Sequence, residues 1–350
     1  MRQVNLDCEG PITKNDNALE ISEYFLPKGE KFFSLVSRYD DFLADIARRK
    51  GYKAGTTLSL ILPFLKAYGA TNKQIKDYSL SHLLLVPGAK KMLSSLKKKM
   101  PTFIISTSYQ PYIEALCELI DFPQENTYYT KLDLDRYQIP LKEIKRLKEW
   151  LEEILELPQI NLSKVRKEKD LSLKAKKTIK RLEEIFWEEI PSMQCGKILK
   201  EVNPLGGKEK AKALLDSLEK REGKLAEVMY IGDSITDVEA LKLIKEKGGV
   251  AISFNGNTYA LEAAEIACIS PHTLPLEVLA KVFYEEGKKG VLRLVETWPE
   301  ALEKKIKKQI LALKPSPHLE IIRKENLAYL RIKSEKMRKE LRGEVAGGLG

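Results

Sequence analysis

The chain has 350 residues, with 60 Lys and Arg against 50 Asp and Glu, a net charge of +10, and a 43% hydrophobic and 31% charged composition. That apolar share supports a sizeable core and excludes bulk disorder, and the length suggests two domains or one with large insertions. No apolar run approaches the roughly 18 residues of a membrane-spanning helix, and residues 1–7 carry no apolar signal region, so a cytoplasmic protein is expected.

The first expected element is a short strand over residues 2–6, ending at Asp7. Residues 15–80 then read as helical: Asn15 to Asn17 offer caps, and Phe32, Phe33, Leu35, Val36, Phe42, Leu43 and Ile46 recur near helical spacing. Thr56 or Thr57 can cap a third helix, which Pro63 should kink or shorten, and Thr71 can cap a fourth. From Pro87-Gly88 the pattern alternates. A helix through about Lys99 precedes the strand Thr102 to Ile105, with Ser106 at its C-terminal end and a helix following through Ile120. Strands are expected again at 227–231, running into Gly232-Asp233, and at 250–254. Short apolar strands alternating with helices predict an α/β fold with a doubly wound parallel sheet.

Two stretches exceed that pattern. Ser106 and Asp233 lie 127 positions apart, whereas two strand–helix crossovers need about 60 to 70. The surplus holds two amphipathic stripes, Ile144/Leu147/Leu151/Ile154 and Ile179/Leu182/Phe186/Ile190, which read as helix-packing faces. Residues 271–350 form a second helical addition. Residues 301–350 hold thirteen Lys and Arg against six Asp and Glu, and the tail is expected to be a solvated amphipathic helix. It lacks the aromatic interleaving that stacks bases, so nucleic acid is not an expected partner. Cys8, Cys117, Cys195 and Cys268 show no C-x-x-C pair, and His82, His272 and His318 are scattered, which excludes a disulfide framework and a thiolate or histidine metal site.

Four polar signals fall at strand ends or helix starts: Asp7-Cys8-Glu9-Gly10-Pro11, Ser106-Thr107-Ser108, Lys208/Lys210, and Gly232-Asp233-Ser234-Ile235-Thr236-Asp237. Ligands of open parallel sheets bind beyond the carboxyl ends of the strands, so these can converge. The set suits phosphoryl transfer. Asp7 can attack phosphorus, and Asp7 and Asp233 are hard oxygen ligands suited to Mg²⁺. Glu9 can serve as acid and base. Ser106, Thr107 and neighbouring N–H groups can hold phosphate oxygens. Lys208 or Lys210 can offset developing charge, and Asp237 can orient a metal water or the lysine.

The same four stretches, LDCEGP, FIISTS, GGKEKAKAL and YIGDSITDVEAL, resemble the motifs of the haloacid dehalogenase superfamily, and VPGAKKMLSSLKKKMPTFIISTSYQPYIEAL is similar to its phosphoserine-phosphatase-like members. The resemblance implies a core of 1–14 plus 81–130 plus 196–270, a helical cap at 15–80, an insertion at 131–195 and a basic extension at 271–350. It implies Asp7 as nucleophile and metal ligand, Glu9 as acid/base whose carbonyl reaches the metal, and Ser106 on phosphate. It further implies Lys210, with Lys208 as the alternative, as the neutralising lysine, and Asp233 and Asp237 at the metal. Glu9 stands where the family usually has Asp, and Pro11 where it has Thr or Val. A receiver domain, which also sets Asp, Ser/Thr and Lys on a parallel sheet, fits less well because of the long 15–80 segment and the G-D-x-x-x-D pattern. More narrowly, DCEGPITKNDNA, ILPFLKAYGAT and SFNGNTYAL resemble an archaeal-type group assigned as subunit R of energy-converting hydrogenase A. That likeness implies hydrogenase-complex proteins as partners. The expected activity is Mg²⁺-dependent phosphatase or phosphotransferase chemistry on a small phosphorylated metabolite, the alternative a weakly active or non-catalytic accessory protein.

Overall fold

The computed structural model describes residues 1–162 and 165–348. Its strands are β1 (Gln3–Leu6), β2 (Thr102–Tyr109), β3 (Thr127–Thr130), β4 (Val228–Gly232), β5 (Val250–Phe254), β6 (Ile266–Ile269) and β7 (His318–Ile321). They form one sheet in the order β3-β2-β1-β4-β5-β6-β7, parallel except for β7, which pairs antiparallel with β6. The central strands are buried along their whole length, as strands covered on both faces must be. Successive side chains feed opposite layers. Val4, Leu6, Met229, Ile231 and Ile252 pack with Met92, Ile113 and Leu279 on one face, while Ile105, Tyr230 and Ala251 pack with Leu214, Leu241 and Ala260 on the other. The sheet is doubly wound, as expected.

Three details depart from the sequence reading. β2 runs on to Tyr109, so Ser106 lies inside the strand, where the register with β3 shifts between Ile105 and Tyr109. β7 interrupts the extension expected to be helical, because the edge of β6 offers unpaired backbone groups that His318–Ile321 satisfies. The helix Thr57–Ala67 continues past Pro63, and neither threonine caps it through its side chain. Asp40 performs that service from the neighbouring helix, accepting from the N–H groups of Gly55 and Thr57, both at 3.1 Å.

The 15–80 helices and those of the 131–195 segment share one apolar core. Phe32 meets Phe64 in a tilted pair at 4.9 Å, Phe64 meets Phe186 edge-on at 6.0 Å, and Leu147, Leu151, Ile154 and Leu182 are buried with them. Both amphipathic stripes are therefore packing faces. Phe64→Ala, which empties the centre of this layer, is expected to cost about 3–5 kcal/mol in denaturant unfolding.

The helix Leu327–Arg342 lies over β6, with Leu330 and Met337 buried against Leu261 and Ile269. This corrects the reading of the basic tail as a solvated helix. Arg338 is 3% exposed and its face of the helix turns inward to the carboxyl ends of the strands, where a carboxylate offsets the cost of burying a guanidinium. Among the described residues no helix is long and apolar enough to cross a membrane.

Candidate active site

β1 pairs with β2 on one side and β4 on the other, and the chain reverses its direction of travel across the sheet at this point. Leu6 registers with Ile104 and with Ile231. Asp7, Ser106 and Asp233 follow these positions by one or two residues, so one crevice receives all three from distant sequence.

Asp7, Asp233 and Asp237 each present a carboxylate oxygen, and these oxygens lie within 4.8 Å of one another. Lys210 is fully buried between two of them, its Nζ 2.6 Å from Asp7 Oδ2 and 2.8 Å from Asp237 Oδ1. Asp237 also accepts from the Tyr230 hydroxyl at 2.8 Å and from the backbone N–H groups of Asp233 and Ser234 at 3.0 and 3.1 Å. It thus fixes both the lysine and the loop that carries Asp233. Burial pushes the Asp237 carboxyl up, but Lys210 and these donors prevail and hold it below the usual range. Burial and the charge of Asp237 together push Asp7 up to about 8, against the pull of Lys210. Burial works against the Lys210 ammonium, and the two carboxylates more than offset it, leaving it above its ordinary range.

Gly10 closes the turn after β1 at φ +107°, and a Cβ there would stand 2.3 Å from Asp233 Oδ2. Gly10→Ala is expected to cost about 1–3 kcal/mol in backbone strain and to displace Asp233, read as a lower melting temperature. Glu9 Oε1 accepts from the Asn17 N–H at 2.8 Å, tying the loop after β1 to the helix Asn17–Phe25. Burial, then the neighbouring Asp16, pushes the Glu9 carboxyl up to about 8.

Asp7, Glu9, Thr107, Ser108 and Asp233 line a cavity of about 110 Å³ roofed by Phe33, Ser37, Asp40 and Leu58 of the 15–80 helices. Ser106 lies beneath its wall, its hydroxyl donating to Ser108 Oγ at 3.0 Å and accepting from the Ser108 N–H at 3.1 Å. Thr107 reaches the cavity while donating to the Leu205 carbonyl at 3.1 Å. Lys208 is not brought to this cluster. It starts the helix Lys208–Glu219 and lines a separate cleft with Lys53 and Glu239, because two residues of helix, about half a turn, put it on the opposite face from Lys210. The histidines are elsewhere: His82 stacks on Tyr78 at 4.1 Å and His318 meets Glu320 at 2.8 Å.

Two residues of this site were not anticipated. Arg338 and Arg342 both donate to the Asp233 carboxylate, Arg342 at 3.1 Å, and both line the cavity. Their only trace in the sequence is an i, i+4 arginine pair within a lysine-rich tail, 105 and 109 positions from Asp233.

A profile of the haloacid dehalogenase-like hydrolases matches residues 88–273, which contain Ser106, Lys210, Asp233 and Asp237. The chain belongs to that family. The match begins after Asp7, which the pairing of β1 between β2 and β4 brings to the same crevice. The solved structure of a gene product from Archaeoglobus fulgidus is similar over 100% of this chain and 99% of its own, at 29% identity and a TM-score of 0.84. Two likenesses are more distant. A haloacid dehalogenase-family hydrolase from Salmonella enterica serovar Typhi shares 12% identity over 73% of this chain and 62% of its own, with a TM-score of 0.43. A phosphoserine phosphatase, described as a phospho-aspartyl intermediate analogue, shares 12% over 76% and 92%, also at 0.43. No curated protein matches the sequence.

Proposed function

We propose that this hydrolase is a Mg²⁺-dependent phosphatase, or phosphotransferase, acting on a small phosphorylated metabolite through an aspartyl-phosphate at Asp7. The observation that carries the reading is the buried Lys210 ammonium bridging Asp7 and Asp237, with Asp233 beside them at the floor of a cavity roofed by the 15–80 helices. The donor set suits a hard divalent cation: carboxylate oxygens from Asp7 and Asp233 within reach of each other, with Asp237 spent on holding Lys210 and the loop. Bound Mg²⁺ would supply the charge that lets a carboxylate approach a phosphate ester.

The chain's own groups account for the rest. Asp7 attacks phosphorus, and the P–O bond to the leaving group breaks as Glu9 gives that oxygen its proton. Glu9, then ionised, takes a proton from water, whose oxygen attacks phosphorus and frees Asp7 and inorganic phosphate. Lys210 offsets charge on the transferring group, while Ser106 shapes the Ser108 wall against which phosphate oxygens rest. The roof over the cavity excludes bulk water. The soluble substrate must fit a cavity of about 110 Å³ unless the roof moves.

A screen of phosphorylated metabolites, with Mg²⁺ and with chelator, tests the reading. Turnover of at least one compound that chelator removes supports it, and no turnover of any sinks it. The second reading, a weakly active or non-catalytic accessory protein of a membrane-bound hydrogenase, draws on the two guanidiniums held at Asp233 and on the sequence resemblance to subunit R. Absence of turnover with co-purification that depends on residues 271–350 would favour it.

A further inference from the structure

The tip of the C-terminal helix makes three attachments at once. Arg338 Nη1 donates to the Asp233 carboxylate and, at 3.2 Å, to the Asp233 backbone carbonyl, while Arg342 Nη1 reaches the same carboxylate oxygen at 3.1 Å. Arg342 also donates to the carbonyls of Lys14 at 3.2 Å and Asn15 at 2.7 Å, where the chain leaves the sheet for the helical roof. Beyond the helix, the Gly348 carbonyl accepts from Arg38 of the roof at 2.9 Å, and the Gly347 carbonyl accepts from Arg338 at 3.1 Å. The body of the helix is fixed independently, by Leu330 and Met337 and by Ser334 donating to the Gly256 carbonyl at 2.7 Å.

Asp7, Asp233 and Asp237, when ionised, carry three negative charges, and Lys210 offsets one. The two guanidiniums offset the other two, which is the charge of a single divalent cation. Glu9 and Asp16 also face the Arg342 guanidinium across the cavity, so what the arginine pair and a cation contest is the Asp233 carboxylate itself and not the charge of the whole site.

We propose that residues 338–348 form a strap that competes with a divalent cation for Asp233, so that cation binding releases the strap from the roof and from the chain that enters it at Lys14 and Asn15. The inference rests on the metal assignment made above, but not on turnover. Asp233 is the shared element, and by linkage whatever the cation gains at Asp233 the strap loses. With the strap in place the roof is tied to the sheet, and with the cation bound that tie is cut at the chain that enters the roof.

The test uses the full chain and Mn²⁺, whose free fraction is read by electron paramagnetic resonance, with amide hydrogen exchange followed in parallel. Mn²⁺ is expected to raise exchange in 338–348 and 14–17 while 327–334 stays protected. R338Q/R342Q is expected to bind Mn²⁺ about tenfold or more tightly than the wild type. R331Q, which removes only a surface pair with Glu262 from the same helix, should bind as the wild type does. Equal affinity in the double variant, or Mn²⁺ bound to the wild type with no change in 338–348, overturns the strap alone. No Mn²⁺ binding by either protein overturns the strap and the metal assignment together. Should the double variant fail to fold, the wild-type exchange result decides.

Discussion

Asp7→Asn is expected to lower Mg²⁺-dependent hydrolysis of a generic phosphate ester by about three orders of magnitude or more, as loss of a nucleophile does in enzymes whose catalytic groups act as a unit. The amide places an NH₂ or a carbonyl where Asp7 Oδ2 now sits 2.6 Å from Lys210, and neither attacks phosphorus. Lys210 keeps its partner Asp237, so the fold should persist, and circular dichroism with a melting curve separates lost chemistry from lost structure. Rapid quenching with a radiolabelled substrate sharpens the result. The wild type should retain label as an aspartyl-phosphate during turnover and Asp7→Asn should retain none. Hydrolysis at near wild-type rate by Asp7→Asn would remove the nucleophile from Asp7.

Lys210→Ala should act on stability first. Its ammonium has no exposed surface and is the cation between two buried carboxylates. Removing one member of such a group leaves uncompensated buried charge and costs about 3–5 kcal/mol. The sign of its pH dependence follows from Asp237. In the wild type that carboxyl is held below its ordinary value of 3.8, so it contributes stability above that pH and the contribution is lost as pH falls through its folded value. Without Lys210 burial dominates and the shift reverses, so the variant's contribution is present at low pH and lost as pH rises. The gap between wild type and Lys210→Ala should therefore narrow below about pH 4 and widen as pH rises toward neutral. Urea unfolding at several pH values measures it. A gap independent of pH would mean that Lys210 acts by packing alone.

The sheet and the acid cluster were legible because local signals mark them. Apolar runs such as Val228–Gly232 read as buried strands, and each ends in a polar turn whose residue types suit one chemistry. β3 and β6 were not legible. The four residues of β3, Thr127–Thr130, are largely half-buried, and those of β6 are too few to separate from a helical stretch by period. The choice between Lys208 and Lys210 was open in sequence because both open one helix, and only the fold shows which face looks at Asp7. Arg338 and Arg342 were hidden for a different reason. A guanidinium on a basic helix reads as solvated until a carboxylate from another part of the chain is known to stand opposite. The same holds for Asp40, whose service to the Gly55 and Thr57 amides depends on a neighbouring helix.

The common apolar core of the 15–80 and 131–195 segments bears on how anything enters the cavity. A lid on two tethers can swing like a door. This one has four, and they run in stitched pairs: the Lys14 N–H donates to the Leu84 carbonyl at 2.8 Å, and the Leu205 N–H to Thr130 Oγ1 at 2.9 Å. With attachments on both flanks, swinging about one edge would tear the other, so access must come from a small sliding of the whole helical layer over the strand ends, a shear motion in place of a hinge.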